Sequence, residues 1–240
     1  MCGYPQAMAA GTRHYEAAFD AYLRRSRAPF ASVRAARRAL LGDRGRLAVR
    51  RPAEGPEAVT LKSFDFVLYG AHEHLLLELK GRRIAPRKGR ARPVEAPEAD
   101  PTPRSVRTES WVTIDDVESL KTWDSLFGEG FRGVLVFLYW CPDASAHAAF
   151  AERFEHDGRR YGVRAIGLAD YTREMVVRSP RWRTVHLPAA RFDACSGPLL
   201  GPSLGPGAVS RPSSDPLVVT RDPGAVRGRA VSGAPAAGGW

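Results

Sequence analysis

The sequence predicts an α/β domain in which helices flank a mixed central sheet, and three observations predict it. Residues 63–83 alternate apolar and polar side chains, as two strands around a tight turn do. Residues 133–140 form a continuous apolar and aromatic run of strand length, which is typical of a strand covered on both faces. Two segments, beginning at Thr12 and Thr113, carry apolar residues at helical spacing.

The first predicted helix begins at Thr12, a residue type that suits an N-cap. Glu16 lies beside the apolar face of this helix, so its carboxylate is available to a site at the edge of that face. The apolar residues of the face are Tyr15, Phe19, Tyr22 and Leu23. Pro29 ends the helical pattern. Residues 29–41 then predict a short strand and a polar connection, although helix and strand compete there.

The second predicted helix has signals at both ends. Thr113 and Asp116 resemble a capping box at its start, and Gly128 supplies its stop. A helical stripe between them consists of Val117, Leu120, Trp123 and Phe127. The apolar run at 133–140 follows directly, and we expect it at the centre of the sheet.

Changes in composition set the predicted domain boundaries. Residues 84–108 are dense in Pro and Arg, and we expect them to project as a flexible basic loop. From residue 195 onward Gly, Pro, Ser and Arg dominate, so residues 195–240 are predicted to be a disordered tail. With a flexible N-terminus at 1–11, one domain remains over 12–194. Beyond the central strand we expect a short helix at 146–156 and a strand running into a polar turn at 161–177. A segment at 182–192 closes the ordered part.

Charge and cysteine content bound the function. The chain has 36 Lys and Arg against 26 Asp and Glu, a formal net charge of +10. This charge favours a polyanionic partner, nucleic acid first, although a coding bias towards Arg explains it equally well. Three widely spaced cysteines form neither a disulfide framework nor a metal knuckle, which fits a reducing compartment. No apolar run approaches bilayer length, so we expect a cytoplasmic protein with no membrane partner.

The hairpin at residues 63–83 brings charged side chains into one patch. A turn at residues 70–73 places Asp65 opposite Glu78 on the neighbouring strand. Lys80 shares the face that carries these two carboxylates, because alternate residues of a strand point the same way. The other face is predicted to be apolar, with Phe64, Phe66, Leu68, Leu75, Leu77 and Leu79.

Two opposed carboxylates require a cation. Directly opposed residues have Cβ atoms about 4.5–5.5 Å apart, and like charges at that distance destabilise a sheet. Mg²⁺ suits a site with few protein ligands that keeps room for water and a substrate phosphate. Lys80 would then orient the attacking water or stabilise charge that develops on the phosphate. The alternative is that Lys80 only forms an ion pair with Glu78 or Asp65 on a solvated face.

The chain resembles the PD-(D/E)XK nuclease superfamily, which implies a restriction-endonuclease-like or Holliday-junction-resolvase-like core of αβββαβ order. Asp65, Glu78 and Lys80 match the Asp, the acidic residue and the Lys of the motif. Glu16 matches the Glu that many members carry in the first helix. Phe64 stands where the superfamily's name has Pro, a departure that affects recognition more than chemistry. The match covers about residues 12–140.

This resemblance implies a metal-dependent nuclease that hydrolyses phosphodiester bonds of nucleic acid with metal-activated water. DNA is the expected substrate, and the sequence leaves the choice between DNA and RNA open. Asp65 and Glu78 would bind Mg²⁺, or Mn²⁺, with the Leu79 carbonyl and Glu16 as further ligands. Lys80 would position the water. The three carboxylate ligands, Glu16, Asp65 and Glu78, complete the catalytic set. The residues expected to contact nucleic acid are Lys121, Arg82, Arg83, Arg87, Lys88 and Arg90. Many members of the superfamily act as dimers, so a homodimer stays open.

A second resemblance is to an uncharacterised bacterial family known by its HYExAFE signature. It rests on HYEAAFD, LKSFDFVLYG, LELKGRR, ESWVTIDDVESLKTWDSLFG and RSPRW. Asp20 stands where that signature ends in Glu. The likeness spans about residues 13–192 and brings no established activity.

Two other functions stay open. A chain with this fold and charge could bind nucleic acid without turnover, or the hairpin charges could form a salt-bridge network in a structural or interaction domain. The basic loop contains no aromatic residue, which favours phosphate contact over base stacking. Residues 178–184, RSPRWRT, mix Arg with Trp and could approach nucleic acid, but we favour a role in capping the sheet.

Overall fold

The computed structural model describes residues 7–36, 48–50, 58–70, 73–86 and 105–201. The helices are α1 (Ala7–Arg25), α2 (Ile114–Phe127), α3 (Ala144–Ala148), α4 (Leu168–Glu174) and α5 (Ala189–Cys195). The strands are β1 (Phe30–Ser32), β2 (Ala48–Arg50), β3 (Ala58–Thr60), β4 (Phe66–Tyr69), β5 (His74–Arg83), β6 (Val112–Thr113), β7 (Phe131–Cys141), β8 (Glu152–His156), β9 (Arg159–Gly167), β10 (Val176–Ser179) and β11 (Thr184–His186).

A six-stranded sheet in the order β1-β4-β5-β7-β9-β8 forms the centre of the fold. The central strands β5 and β7 are parallel, and the other neighbouring pairs are antiparallel. Two smaller sheets pair β10-β11-β6 and β2-β3. The mixed sheet with flanking helices confirms the predicted α/β class. The elements α1, β1, β4, β5, α2 and β7 also follow the predicted αβββαβ order.

The two faces of the central sheet carry separate apolar cores. On one face α1 packs its predicted stripe against β5 and β7. On the other face α2, α4 and α5 cover alternate residues of the same strands. Residues 134–139 of β7 are fully buried between these layers, as the continuous apolar run predicted. Fully burying one large apolar side chain contributes about 1.5–3 kcal/mol, so this strand anchors both layers.

The predicted register of the β4–β5 hairpin is confirmed. Val67 faces Leu76, Leu68 faces Leu75, and the Gly70 N–H donates to the Glu73 carbonyl at 3.0 Å to close the turn. The turn residues 71–72 lie outside the described residues.

The predicted apolar face of that hairpin is right except at Phe64. Phe66 and Leu77 do share the face that meets α1. Phe64 instead packs in the opposite core, with its ring 5.4 Å from the ring of Trp123 in α2. The regular ladder ends at Phe66, so strict alternation no longer holds for the residues that precede it.

The helix signals were right at α2 and wrong at the start of α1. Thr113 and Asp116 form a capping box, in which each side chain accepts a hydrogen bond from the other residue's backbone N–H. The predicted N-cap Thr12 instead lies inside α1, which begins at Ala7, so residues 7–11 of the predicted flexible N-terminus are helical. The predicted polar turn after β9 is the helix α4, because Leu168 and Tyr171 are buried against the sheet.

Two predicted flexible segments are ordered at their ends. Ile84 is buried, and its N–H donates to the Trp140 carbonyl at 3.0 Å, so the start of the predicted basic loop belongs to the core. Gly197 exchanges backbone hydrogen bonds with Ala165 of β9, and Leu199 is buried. The predicted disordered tail therefore cannot begin at residue 195. Residues 87–104 and 202–240 lie outside the described part of the chain.

None of the helices in the described ranges combines the length and the apolar character that a membrane span requires.

Candidate active site

The candidate site lies where β4 ends against the middle of β5. The ladder between the two strands ends at the pair Phe66–Leu77, and Asp65 directly precedes it. Asp65 Oδ2 accepts a hydrogen bond from the Leu79 backbone N–H at 2.8 Å. This bond fixes the Asp65 carboxylate beside the stretch of β5 that carries Glu78. The hairpin therefore brings together the two carboxylates that the sequence predicted as neighbours.

Lys80 joins the hairpin to the N-terminus of α2. Its Nζ lies 2.6 Å from Glu78 Oε1 and 2.7 Å from Asp116 Oδ2. Asp116 also forms an ion pair with Lys62. The side chains of Glu78, Lys80 and Asp116 are only 9%, 14% and 3% exposed, respectively. A network shielded from water to this degree makes each charge strongly dependent on its neighbours.

The two hairpin carboxylates hold their protons more tightly than free carboxyls do. Burial raises the pKa of Glu78 to about 7; Lys80 opposes the rise, whereas Asp65 adds to it. Burial also raises the pKa of Asp65 to about 6, although the Leu79 N–H and Lys80 both lower it. Burial is thus the main cause of both raised pKa values, and neighbouring carboxylates add to it more weakly.

Asp116 and Lys80 are instead held in their charged forms. Burial favours a higher pKa for Asp116, but Lys80 and Lys62 outweigh it and lower this pKa to about 2. Burial favours a lower pKa for Lys80, but Glu78 and Asp116 outweigh it and raise the pKa above its ordinary value. At neutral pH Lys80 is therefore an ammonium and Asp116 a carboxylate. Lys80 cannot act as a base while these contacts persist.

Glu16 reaches the same region from α1. It lines a surface cavity of about 350 Å³ together with Asp65, and its negative charge contributes to the raised pKa of Asp65. Glu16 Oε2 forms an ion pair with Arg34 Nη1 at 2.6 Å. The other residues that line the cavity are Ala17, Asp20, Ser32, Arg34 and Phe66. The structure thus brings Glu16 close to Asp65 but gives it a cation partner of its own.

The donor set fits Mg²⁺ by its chemistry. Within the described ranges, no group of three or more His, Cys, Asp or Glu side chains is placed to hold a metal ion. Asp65 and Glu78 nevertheless offer two carboxylates, and Mg²⁺ often takes only one or two from the protein and completes its octahedron with water and phosphate. Their pKa values are raised mainly by burial and in smaller part by neighbouring carboxylates, and a bound divalent cation would favour the charged form of both.

The three described residues among the predicted nucleic-acid contacts have different surroundings. Lys121 is exposed on α2 and Arg83 is exposed at the end of β5, where its guanidinium lies 4.5 Å from the centre of the Trp140 ring. Arg82 is instead held by the protein: its Nη1 donates to the Gly81 carbonyl at 2.8 Å, and its guanidinium covers Trp111. The predicted contacts Arg87, Lys88 and Arg90 lie outside the described residues.

Sequence reasoning missed three charged residues of the site. Asp116 was predicted only as a helix cap, and Lys62 and Arg34 were not singled out. The capping-box pattern was the available signal for Asp116, since it placed a carboxylate at the start of the helix that follows β5. For Lys62 and Arg34 no local pattern distinguishes an ion-pair partner from a solvated cation.

Comparisons with known proteins give one distant likeness. No family model matches the chain, and no curated protein matches it significantly. Among solved structures, a Holliday junction resolvase from the archaeal hyperthermophile Archaeoglobus fulgidus is similar at 14% sequence identity and a TM-score of 0.30. The match covers 68% of this chain and 90% of the resolvase. None of these comparisons supports the resemblance to the HYExAFE-signature family.

Proposed function

We propose that this protein is a Mg²⁺-dependent nuclease that hydrolyses phosphodiester bonds in nucleic acid, with DNA as the expected substrate. The observation that carries the proposal is the pairing of Asp65 and Glu78, two shielded carboxylates with raised pKa values, beside the ammonium of Lys80. The motif resemblance of these residues to the PD-(D/E)XK superfamily points to the same chemistry. The net charge of +10 suits a polyanionic substrate.

In this proposal Asp65 and Glu78 hold the ion, with the Leu79 carbonyl and Glu16 as additional ligands. Bound Mg²⁺ lowers the pKa of water and stabilises negative charge on a phosphate. Asp65 is oriented by the Leu79 N–H, so its second carboxylate oxygen stays available to a ligand. Glu16 lines the cavity next to Asp65 and can contribute once Arg34 is displaced or shared.

Lys80 acts as a fixed cation. Asp116 and Glu78 hold its ammonium in place, and they keep it protonated at neutral pH. An ammonium in a shielded site can orient a water through its N–H groups and stabilise charge that develops on a non-bridging phosphate oxygen. Lys62 supports this arrangement from outside, because it shares the Asp116 carboxylate that positions Lys80.

The test is cleavage of plasmid, single-stranded, branched and RNA substrates with Mg²⁺ or Mn²⁺, alongside metal titration by calorimetry. Asp65→Asn and Lys80→Met should each abolish cleavage, whereas Asp65→Asn alone should also weaken metal binding. Glu118→Gln, an exposed change on α2, is the matched control and should leave both unchanged. A pure wild-type protein that cleaves none of the substrates and binds neither ion contradicts the proposal.

A second candidate is nucleic-acid binding without turnover on the same fold. It is favoured by the ion pairs that Lys80 forms with both Glu78 and Asp116, since these already satisfy part of the charge that a metal would neutralise. This candidate predicts strongly salt-dependent binding that survives Asp65→Ala unchanged. Binding that depends on Asp65 and on Mg²⁺ contradicts it.

Sedimentation with and without DNA will show whether the homodimer forms.

A further inference from the structure

A cleft between two tryptophans opens beside the small sheet formed by β10, β11 and β6. Its volume is about 370 Å³, within the range of about 300–1,000 Å³ that small-ligand sites occupy. The lining residues are Trp111, Thr113, Arg178, Ser179, Trp182 and Thr184. The cleft is therefore large enough for one planar group and is bordered by aromatic rings and a cation.

One aromatic ring of the cleft, that of Trp182, is accessible, and both rings are accompanied by arginines. Trp182 is 67% exposed, so the favoured prediction that the RSPRWRT segment caps the sheet does not apply to this side chain. The Arg178 guanidinium lies 5.2 Å from the centre of the Trp111 ring, and that of Arg181 lies 5.3 Å from the centre of the Trp182 ring. An exposed indole flanked by guanidinium groups offers a stacking surface next to positive charge.

The cleft adjoins the candidate active site through two connections. Arg82 follows Lys80 by two residues on β5, so both side chains start from the same face of the strand. The Arg82 guanidinium lies 3.9 Å from the centre of the Trp111 ring, on which Arg178 also lies. Thr113, which lines the cleft, caps the helix through the same Asp116 that binds Lys80. The cleft is therefore linked through Arg82, Thr113 and Asp116 to the part of the structure that holds Lys80.

We propose that this cleft binds an unpaired base of a nucleic-acid strand, stacked on Trp182, while Arg178 and Arg181 contact the adjoining phosphates. The inference deepens the proposed nuclease function and rests on it, because it defines the substrate class as nucleic acid with a single-stranded portion near the site of cleavage. Every base has a π-face that can stack on indole, so such a cleft takes any base and needs no particular sequence.

A base within an intact duplex does not fit this arrangement. Both faces of a paired base are already stacked on its neighbours, and an exposed indole on a surface hairpin contacts it only after unstacking. Single strands, forks and flaps present their bases at no such cost. The cleft thus predicts a preference for single-stranded or branched substrates over blunt duplexes of the same sequence.

The test is fluorescence anisotropy with the whole 240-residue chain, without divalent ions so that no cleavage occurs. The probes are a labelled single strand, a fork, the blunt duplex of the same sequence, and a single strand with abasic sites. Trp182→Ala should weaken binding of the single strand and the fork by about 5- to 150-fold, the loss of one base stack. Binding of the duplex and of the abasic strand should change little, and Trp182→Phe should retain most of the affinity.

The matched control is Tyr69→Ala, which removes another exposed aromatic ring, on β4, and should leave all four affinities unchanged. Equal losses on duplex and single strand in Trp182→Ala, or no loss on either, would overturn the stacking proposal while cleavage by the wild type still supports the nuclease. Failure to cleave, with the selective Trp182 effect present, removes the nuclease and retains the stacking site. Quenching of tryptophan fluorescence by a proline-rich peptide but not by the single strand would also overturn it and indicate a protein partner.

Discussion

Replacing Glu78 by Gln should stabilise the folded protein at pH 8, and the size of the effect follows from the pKa of this carboxyl. The folded protein raises that pKa from its ordinary value of 4.5 to about 7 because the side chain is buried. The folded state therefore binds the proton more tightly than the unfolded chain does. The contribution of Glu78 to stability is most favourable below pH 4.5 and is lost as the pH rises through 7.

The magnitude is about 3 kcal/mol, since each unit of pKa difference between the two states corresponds to about 1.4 kcal/mol. Gln has the shape of the protonated carboxyl and does not titrate. At pH 4 the variant and the wild type should thus unfold with similar free energies. At pH 8 the variant should be more stable by up to about 3 kcal/mol, or by about 6–12 °C in Tm for a chain of this size.

The effect is measured by thermal and urea unfolding at pH 4, 6 and 8, with and without Mg²⁺ at about 10 mM. Mg²⁺ should raise the Tm of the wild type at pH 8 and leave that of Glu78→Gln unchanged, because binding to the folded state alone stabilises it. Glu118→Gln is the control for loss of a charge on the surface.

The opposite sign would refute this reasoning. If the hairpin charges are only a structural salt-bridge network, Glu78→Gln breaks a shielded pair with Lys80 and destabilises the protein at pH 8. Mg²⁺ would then stabilise neither protein. The experiment therefore separates the metal-site hypothesis from the structural alternative without an activity assay.

Three other perturbations test the packing around the site. Lys80→Met should destabilise the protein by about 3–5 kcal/mol in urea unfolding at pH 8, because it leaves Glu78 and Asp116 without their shared cation. A loss below about 1 kcal/mol would show that Lys62 alone balances the charge of these carboxylates. Gly81→Ala places a Cβ 2.3 Å from Tyr15 Cδ2, so it should cost about 1–3 kcal/mol, and Tyr15→Leu in the same chain should recover part of this loss. Glu152→Gln should weaken the hydrogen bonds that Glu152 accepts from the Tyr22 hydroxyl and from the Leu199 and Leu200 N–H groups. Hydrogen exchange at Leu199 should therefore become faster. Unchanged exchange would show that the pairing of Gly197 with Ala165 is sufficient to hold this segment.

The sequence was most informative where the pattern is local. Alternation along residues 63–83 determined the hairpin register, because a slip of one residue would expose the whole apolar set. The Thr113–Asp116 capping box and Gly128 likewise located α2. These predictions needed only neighbouring residues, and the structure confirms each of them.

The sequence was least informative where distant segments meet. Residues 195–201 look unable to fold on their own, yet Gly197 pairs with Ala165 and Leu199 is buried, because β9 supplies partners that the local composition does not reveal. Phe64 left its predicted face for a similar reason: α2 offers it Trp123. The pairing of Asp116 with Lys80 joins a helix to a strand across a long insertion, and no spacing rule predicts such a contact.

The distribution of ion pairs indicates where a divalent cation would be most useful. Asp116 has two cation partners, Lys62 and Lys80, and its pKa is lowered. Glu78 shares Lys80 with Asp116, and burial raises its pKa. Asp65 forms no ion pair with a Lys, Arg or His side chain in the described part of the chain, and its carboxylate accepts a backbone N–H instead. Positive charge is thus sufficient at the helix and deficient at the hairpin. An ionised carboxylate with too few cation partners is costly to bury, so a divalent cation would be most useful at Asp65 and Glu78, the two residues that the proposed function assigns to the metal.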